Sequence, residues 1–359
     1  MSNKSDIRLL QVIVGEPQGG AERFFVKLAG AFSAASKIGK TNITQKLVIA
    51  RDEARNNDLK SLGCDVTQLD FGSGPADWMA RIKFRQILRQ YQPTIVMAWM
   101  SRAARRVPKG NYIRIARFGG YYPLKHYKGF DHIICNTPDL VRHVRDSGWS
   151  QNSVQLISNF GELESQPALD RASLNTSPED FVIYAAGRFH PMKGFDTLLD
   201  AVALVPKSVL WLAGSGELEQ DLREQAARLG IEDRVRFLGW RDDQAALYAA
   251  CDVCVVPSRH EPLSNVVVEA WSQKTPVIAI AAEGPSWLLS DEKSGILVPL
   301  EDAKKLGKAI QSLIDNPGLK ASYAQAGFEK WNAEFSKDKI VAEYLDCFSD
   351  LMTLNKTVG

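Results

Sequence analysis

Two acids eight residues apart, Glu261 and Glu269, bracket the stretch in this chain best suited to chemistry, VCVVPSRHEPLSNVVVEAW at 253–271. It opens on the apolar run 253–256, which reads as a buried strand bounded by Pro257. After a turn, Ser264 and Asn265 supply cap-type side chains ahead of the apolar-periodic Val266, Val267, Ala270 and Trp271. This predicts a helix whose free N–H groups point out of the strand's end. Such an end attracts anions. A phosphate held by the amides around Leu263, Ser264 and Asn265 would leave Glu261 and Glu269 to meet hydroxyls. A capped helix with two solvated acids is the plainer reading, since helix starts favour acids in any case.

A second cluster lies earlier, in FVIYAAGRFHPMKGFDTLLDAVALV at 181–205. A strand ends at Gly187 and a helix is expected from about Lys193, with Arg188 and Lys193 in the loop between them. Two cations beside a helix start at a strand's carboxyl end form another anion cradle.

The elements that must position these residues follow from alternation. Residues 7–14 read as a strand, 15–22 as the loop Gly-Glu-Pro-Gln-Gly-Gly-Ala-Glu, and the chain to about 32 as a helix. Strand, glycine loop, helix is the opening of an α/β domain. The loop lacks Gly-x-Gly-x-x-Gly, which argues against a dinucleotide-binding dehydrogenase. Gly19 and Gly20 let backbone approach a ligand, or simply make the turn. Further strands are expected at 46–50, 64–69, 94–99, 112–117, 132–135 and 154–157, with helices near 53–62, 76–90 and 138–147. Periodicity stops between 158 and 177, where Gly, Pro, Ser and Thr mark a linker. Strands at 181–187, 209–213, 235–238, 253–256 and 276–280 build a second parallel sheet. Gly284, Pro285 and Ser286 are expected to form a turn before a short strand at 296–299. A last helix at 336–354 carries a one-sided apolar stripe. The fold class is therefore α/β, with two Rossmann-like doubly wound domains, at 1–165 and 166–335, and a final helix at 336–359.

Together, Gly-Gly-Ala-Glu at 19–22, Gly-Arg-x4-Lys-Gly at 187–194 and Glu-x7-Glu at 261–269 resemble the retaining GT-B glycosyltransferases of family 4, over residues 7–352 and most closely bacterial lipopolysaccharide-core and polysaccharide transferases. The resemblance implies an N-terminal acceptor-binding domain, a C-terminal nucleotide-sugar-binding domain, a cleft between them, and a last helix returning to the first domain. It assigns Arg188 and Lys193 to the donor diphosphate, Glu261 to the donor sugar and Glu269 to the ribose. Gly214-Ser215-Gly216-Glu217 resembles the family's Gly-x-Gly loop, and Trp240 with Arg241 stand where the family contacts the base; a Trp capping the core remains the alternative. Leu263-Ser264 replaces the common Phe-Gly and still leaves amides free. A histidine facing the donor is not clearly placed: His126 is a candidate or an ordinary loop residue, and His190 and His260 flank the two cradles. The family retains anomeric configuration. A front-side departure, in which the leaving phosphate takes the acceptor's proton, is the expected mechanism, with double displacement through a carboxylate as its rival.

Composition bounds the rest. At 359 residues and 45% hydrophobic, the chain has room for two soluble domains. No apolar run nears the roughly 18 to 20 residues of a membrane span, and 1–10 hold no signal core, so a cytoplasmic location is expected. Five scattered cysteines make a disulfide framework unlikely, and Cys251-x2-Cys254 has no partner pair for zinc. No Asp-x-Asp is present. No metal or other cofactor is expected, and the fixed cations take the metal's place.

Residues 1–165 hold 24 basic against 14 acidic residues, and the remainder 20 against 28. The stretch 81–130 has twelve basic residues and no acid. This polarity points to an anionic partner. The expected partners are a UDP-, GDP- or ADP-linked sugar, a glycan or glycolipid acceptor and an anionic membrane surface, which would place the chain peripherally on the cytoplasmic face of the inner membrane. Nucleic acid is not expected, because no recognisable module accompanies the basic belt. A phosphorylase or sugar-nucleotide epimerase, and a nucleic-acid-binding protein using 81–128, are the competing functions.

Overall fold

Apolar strand-length runs alternating with amphipathic stretches become two parallel sheets flanked by helices in the computed structural model, which describes residues 6–16, 19–39, 41–72 and 74–358. The first series is β1 (Ile7–Ile13), α1 (Gly20–Lys37), β2 (Ile43–Ala50), α2 (Glu53–Ser61), β3 (Asp65–Leu69), α3 (Pro75–Tyr91), β4 (Ile95–Trp99), α4 (Met100–Ala104), β5 (Ile113–Phe118), β6 (His132–Cys135), α5 (Pro138–Asp146) and β7 (Val154–Leu156). The second is β8 (Phe181–Ala186), α6 (Phe195–Ala203), β9 (Ser208–Ala213), α7 (Glu219–Arg228), β10 (Val235–Gly239), α8 (Gln244–Ala250), β11 (Val253–Val256), α9 (Asn265–Ser272), β12 (Val277–Ile280), α10 (Glu283–Leu288), β13 (Ile296–Val298), α11 (Ala303–Asp315) and α12 (Pro317–Lys330). The last helix is α13 (Lys337–Val358). Several expected bounds move. α1 runs on to Lys37, α6 and α7 begin two residues beyond the loops expected to open them, and Gly284 to Ser286 lie inside α10 instead of in a turn.

The sheets run β3-β2-β1-β4-β5-β6-β7 and β10-β9-β8-β11-β12-β13, every pair parallel. Each order reverses once, between β1 and β4 and between β8 and β11. In such sheets ligands bind outside the strands' carboxyl ends at these reversals.

The chain divides into one unit of Met1–Asn159 with Ile340–Gly359 and another of Phe160–Lys339. The border expected at 165 lies a few residues inside the second unit. The reason is local: Asn159 Oδ1 accepts from Arg117 at 2.6 Å, while the Gly161 carbonyl accepts from Trp331 at 3.0 Å. Within the first unit α13 docks through Tyr344, whose hydroxyl accepts from Arg117 Nε at 2.6 Å and whose ring meets Phe32 edge-on at 5.9 Å.

Arg117 corrects the basic belt of 81–128. It is 2% exposed, a core residue bonded to Tyr344, Asn159 and the Phe118 carbonyl. Arg81 and Arg106 both pair with Asp77, at 2.7 and 3.0 Å, and Arg102 pairs with Glu16 at 2.7 Å. The acids missing from the run are supplied from outside it.

One buried titratable group gives the first unit a pH dependence. Burial lowers the His132 imidazole to about 4, against an opposing pull from Gln155. A folded value below the unfolded one, near 6.5, means the unfolded chain binds the extra proton first. This contribution to stability is therefore present above pH ~6.5 and lost as pH falls towards 4, by about 3 kcal/mol at ~1.4 kcal/mol per unit. Denaturant midpoints for wild type and His132→Gln are expected to converge on acidification from 7 to 4. Parallel pH profiles would refute it.

Candidate active site

At the reversal in the second sheet, the loop after β8 meets the loop after β11. The 191–193 turn places Lys193 so that Nζ donates to Glu261 Oε2, which also accepts from Ser258 Oγ at 3.1 Å. Gly194 makes this approach possible. Its φ is +64°, and a Cβ there would collide with the Pro257 carbonyl. Arg259 then ties the loops together: its N–H donates to the Met192 carbonyl at 2.9 Å, and its guanidinium donates to the Pro191 carbonyl at 2.8 Å and to both Asp196 oxygens. Burial acts to raise Asp196, yet the Arg259 bond and charge hold its carboxyl below the usual range.

Arg188 projects from the same loop, exposed and without hydrogen bond or ion pair among the described residues. The Lys193 stem passes close by, with Cδ and Cε 3.8 Å from where a Gly187 Cβ would stand. The β9 loop packs beneath. The Gly214 φ is +137°, and a Cβ there would strike the Gly187 carbonyl; Phe189 N–H donates to the Ser215 carbonyl at 2.9 Å. Gly214 N–H donates in turn to the Gly239 carbonyl at 2.7 Å, so loops from β8, β9 and β10 form one hydrogen-bonded floor.

α9 completes the site. Ser264 occupies the N-cap position but does not cap: its φ is +73°, a left-handed conformation uncommon for a non-glycine residue, and no side-chain bond reaches the helix amides. Its hydroxyl is buried without a partner. An unsatisfied buried hydroxyl at a helix start suits an oxygen-rich ligand. Asn265, Val266, Glu269 and Ser272 are half-buried while the residues between them are buried, so Glu269 continues the accessible stripe that starts at the helix tip.

The other sequence candidates lie around these loops. Trp240 is 53% exposed, which removes the core-capping alternative. Arg241 is committed to Asp243 through bonds of 2.7 and 2.5 Å, and that bond holds Asp243 below the usual carboxylate range. His190 Nδ1 accepts from Met192 N–H at 3.2 Å and so braces the Lys193 turn. His260 Nδ1 lies 2.8 Å from Glu283 Oε1, and Glu283 Oε2 accepts from Glu261 N–H at 3.2 Å. Leu263 is buried, and its carbonyl is one of the groups that a Cβ at Gly284 would strike.

In the first unit, Gly19 precedes α1 and Gly20 is its first residue; Pro17 and Gln18 lie outside the described residues. The space beside Gly19 is taken by the Glu22 carboxylate, which also accepts from Glu16 N–H at 3.0 Å. His126 sits half-buried in a single 3-10 turn after β5. The sites that sequence reasoning missed are Ser258, Arg259 and Glu283. Among the described residues no group of three or more His, Cys, Asp or Glu is placed to hold a metal.

Known proteins share this fold. The structure of Anabaena Alr3699/HepE in complex with UDP and glucose superposes with a TM-score of 0.77 at 21% identity, covering 96% of this chain and 100% of that one. The apo form of the lipopolysaccharide outer core galactosyltransferase WaaB gives 0.72 at 16% identity, over 97% and 99%. The fold is that of the GT-B glycosyltransferases, two Rossmann-like domains in one chain. The model for "Glycosyl transferases group 1" matches residues 168–330. The lipopolysaccharide core biosynthesis glycosyltransferase LpsE of Rhizobium meliloti (strain 1021) is 36% identical over 331 residues, 91% of this chain and 95% of the relative. This chain belongs to the group 1 glycosyltransferases.

Proposed function

We propose that the chain transfers a hexose from a nucleotide-diphosphate sugar, UDP-, GDP- or ADP-linked, to a glycan or glycolipid acceptor of the lipopolysaccharide core or a related polysaccharide, with retention and without a metal. The observation that carries this is the Lys193–Glu261 pair at the sheet's reversal, with Arg188 unpaired beside it and the Ser264 hydroxyl unsatisfied. Support for the acceptor class comes from the names of LpsE and WaaB, and for the donor class from the UDP and glucose in the Anabaena complex.

Transfer breaks the bond from the anomeric carbon to phosphate, and the electron pair leaves with the diphosphate. Arg188, Lys193 and the amides at the start of α9 are fixed donors for that growing charge, a form of catalysis that needs no reorganisation. The acceptor oxygen bonds the anomeric carbon from the same face, and its proton passes to the departing phosphate oxygen. Glu261, held by Lys193 and Ser258, orients sugar hydroxyls and offsets oxocarbenium charge. The Lys193 bond favours this role over double displacement, which needs the carboxylate free to attack.

Two measurements test the reading. In a thermal-shift panel of UDP, GDP and ADP sugars, one donor at ~100 times its Kd is expected to add about 2.7 kcal/mol of stability. Transfer is expected to survive EDTA; activity that vanishes and returns with Mg²⁺ would overturn metal independence.

The working location in this proposal is the cytoplasmic face of the inner membrane, bound peripherally. Among the described residues no helix is long and apolar enough to cross a membrane. With Arg81, Arg102, Arg106 and Arg117 occupied, the attraction falls to the exposed cations of the first unit that carry no carboxylate partner, chiefly Arg85, Arg89 and Lys109.

A further inference from the structure

A recess of about 820 Å³ opens at the amino ends of β1, β4 and β5, the end of the first sheet opposite the Gly19 loop. Arg8, Arg85, Arg89 and Lys109 line it, with Asn111 and Tyr112, and no carboxylate contributes to the wall. Among the described residues none of the four cations is paired with an acid. The carbonyl end of α3 is there too and would by itself repel an anion. Arg8 Nε meets that end, donating to the Gln92 carbonyl at 2.7 Å. The Tyr112 hydroxyl donates to the Pro108 carbonyl at 2.6 Å, which fixes the floor. Four like charges around one concavity repel each other until an anion enters, and a low-dielectric wall focuses their field.

α3 says what carries the anion. Trp78, Ile82, Arg85 and Arg89 fall at i, i+4, i+7 and i+11, one stripe about 16 Å long. Trp78 is 65% and Ile82 44% exposed, and Met79 beside them 53%. Indole and aliphatic groups sharing a stripe with arginines are what a helix lying in the plane of the lipid interface presents, apolar groups at the acyl boundary and cations among the headgroups. We propose that this recess binds the phosphodiester headgroup of an anionic lipid, while Trp78 and Ile82 insert at the acyl boundary. The proposal rests on the peripheral-membrane reading above and gives it a site and an orientation.

The test is sedimentation of the full chain with phosphatidylcholine vesicles of rising phosphatidylglycerol content. Wild type is compared with Arg85→Gln/Arg89→Gln, with Trp78→Gln/Ile82→Gln, and with Lys125→Gln/Lys128→Gln, a pair of exposed cations elsewhere on the first unit. Melting temperatures check folding, which exposed unpaired side chains should hardly affect. Wild type is expected to sediment in proportion to anionic lipid and to be released at ~1 M salt, where screening acts over ~3 Å. The Arg85/Arg89 pair is expected to lose about 30-fold in partitioning, and the Lys125/Lys128 pair much less. The Trp78/Ile82 pair should weaken binding that persists in salt. Equal losses in the two basic pairs would overturn the recess while leaving membrane attraction standing. Wild type remaining in the supernatant at every composition would overturn both. Saturable binding of inorganic phosphate, lost in Arg85→Gln/Arg89→Gln but without vesicle binding, would replace the lipid by a free phosphate ligand and so overturn the lipid assignment.

Discussion

Arg188→Ala and Lys193→Ala are each expected to lower turnover by ~10² or more, about 2.7 kcal/mol of transition-state stabilisation, the scale lost when one electrostatic stabiliser is removed. The structure separates the two variants. Arg188 makes no hydrogen bond or ion pair among the described residues, so its removal should leave the denaturant midpoint nearly unchanged and act through the ligand. Lys193 holds Glu261, a side chain only 17% exposed, and its loss leaves that carboxylate with Ser258 alone. Lys193→Ala should therefore cost stability as well, while the double variant Lys193→Ala/Glu261→Gln should recover stability without recovering turnover. Steady-state kinetics with the donor found in the thermal panel, together with urea unfolding, reads both. Near-normal turnover in both single variants would remove the diphosphate assignment.

Much of this site was legible because its chemistry is carried by residue type at strand ends. Apolar runs such as 253–256 mark strands whatever their partners, and the loops that follow them must carry the ligand groups in a parallel sheet. Arg188, Lys193, Glu261 and Glu269 were visible for that reason. Arg259 was not. It sits between Ser258 and His260 as one more charged loop residue, and its role depends on Asp196 and Pro191, more than sixty positions away in the chain. The same blindness produced the uninterrupted basic belt. Counting along 81–130 cannot see that Asp77 pairs with Arg106 or that Arg117 is buried against Tyr344, 227 positions away. Nor does any residue pattern announce that Ser264 takes a positive φ, since its type suggests an ordinary cap. What sequence conveys is local periodicity and type; what it hides is who pairs with whom.

Glu269→Ala is expected to weaken binding of the free nucleoside diphosphate at least ~10-fold, the loss of hydrogen bonds to a charged acceptor worth about 1.5–3 kcal/mol. Glu261→Ala should instead keep or raise that affinity and lower turnover. The distinction follows from where the two acids lie. Glu269 continues the accessible stripe of α9, and in the proposed reading it meets the part of the donor present in substrate, product and free nucleotide alike, so its contribution should be uniform and appear in affinity. In the proposed reading Glu261 faces the sugar, which the free nucleotide lacks. Its carboxylate also accepts from Lys193, and truncation would release that cation to the diphosphate. Glu261→Ala could thus bind the free diphosphate more tightly than wild type does while turning over more slowly, a sign reversal that an acid on the ribose would not produce. Calorimetric titration of both variants with the nucleoside diphosphate, set beside their turnover numbers, decides it. Equal affinity losses in both would mean that the two carboxylates share the nucleotide and that the sugar is oriented by another group.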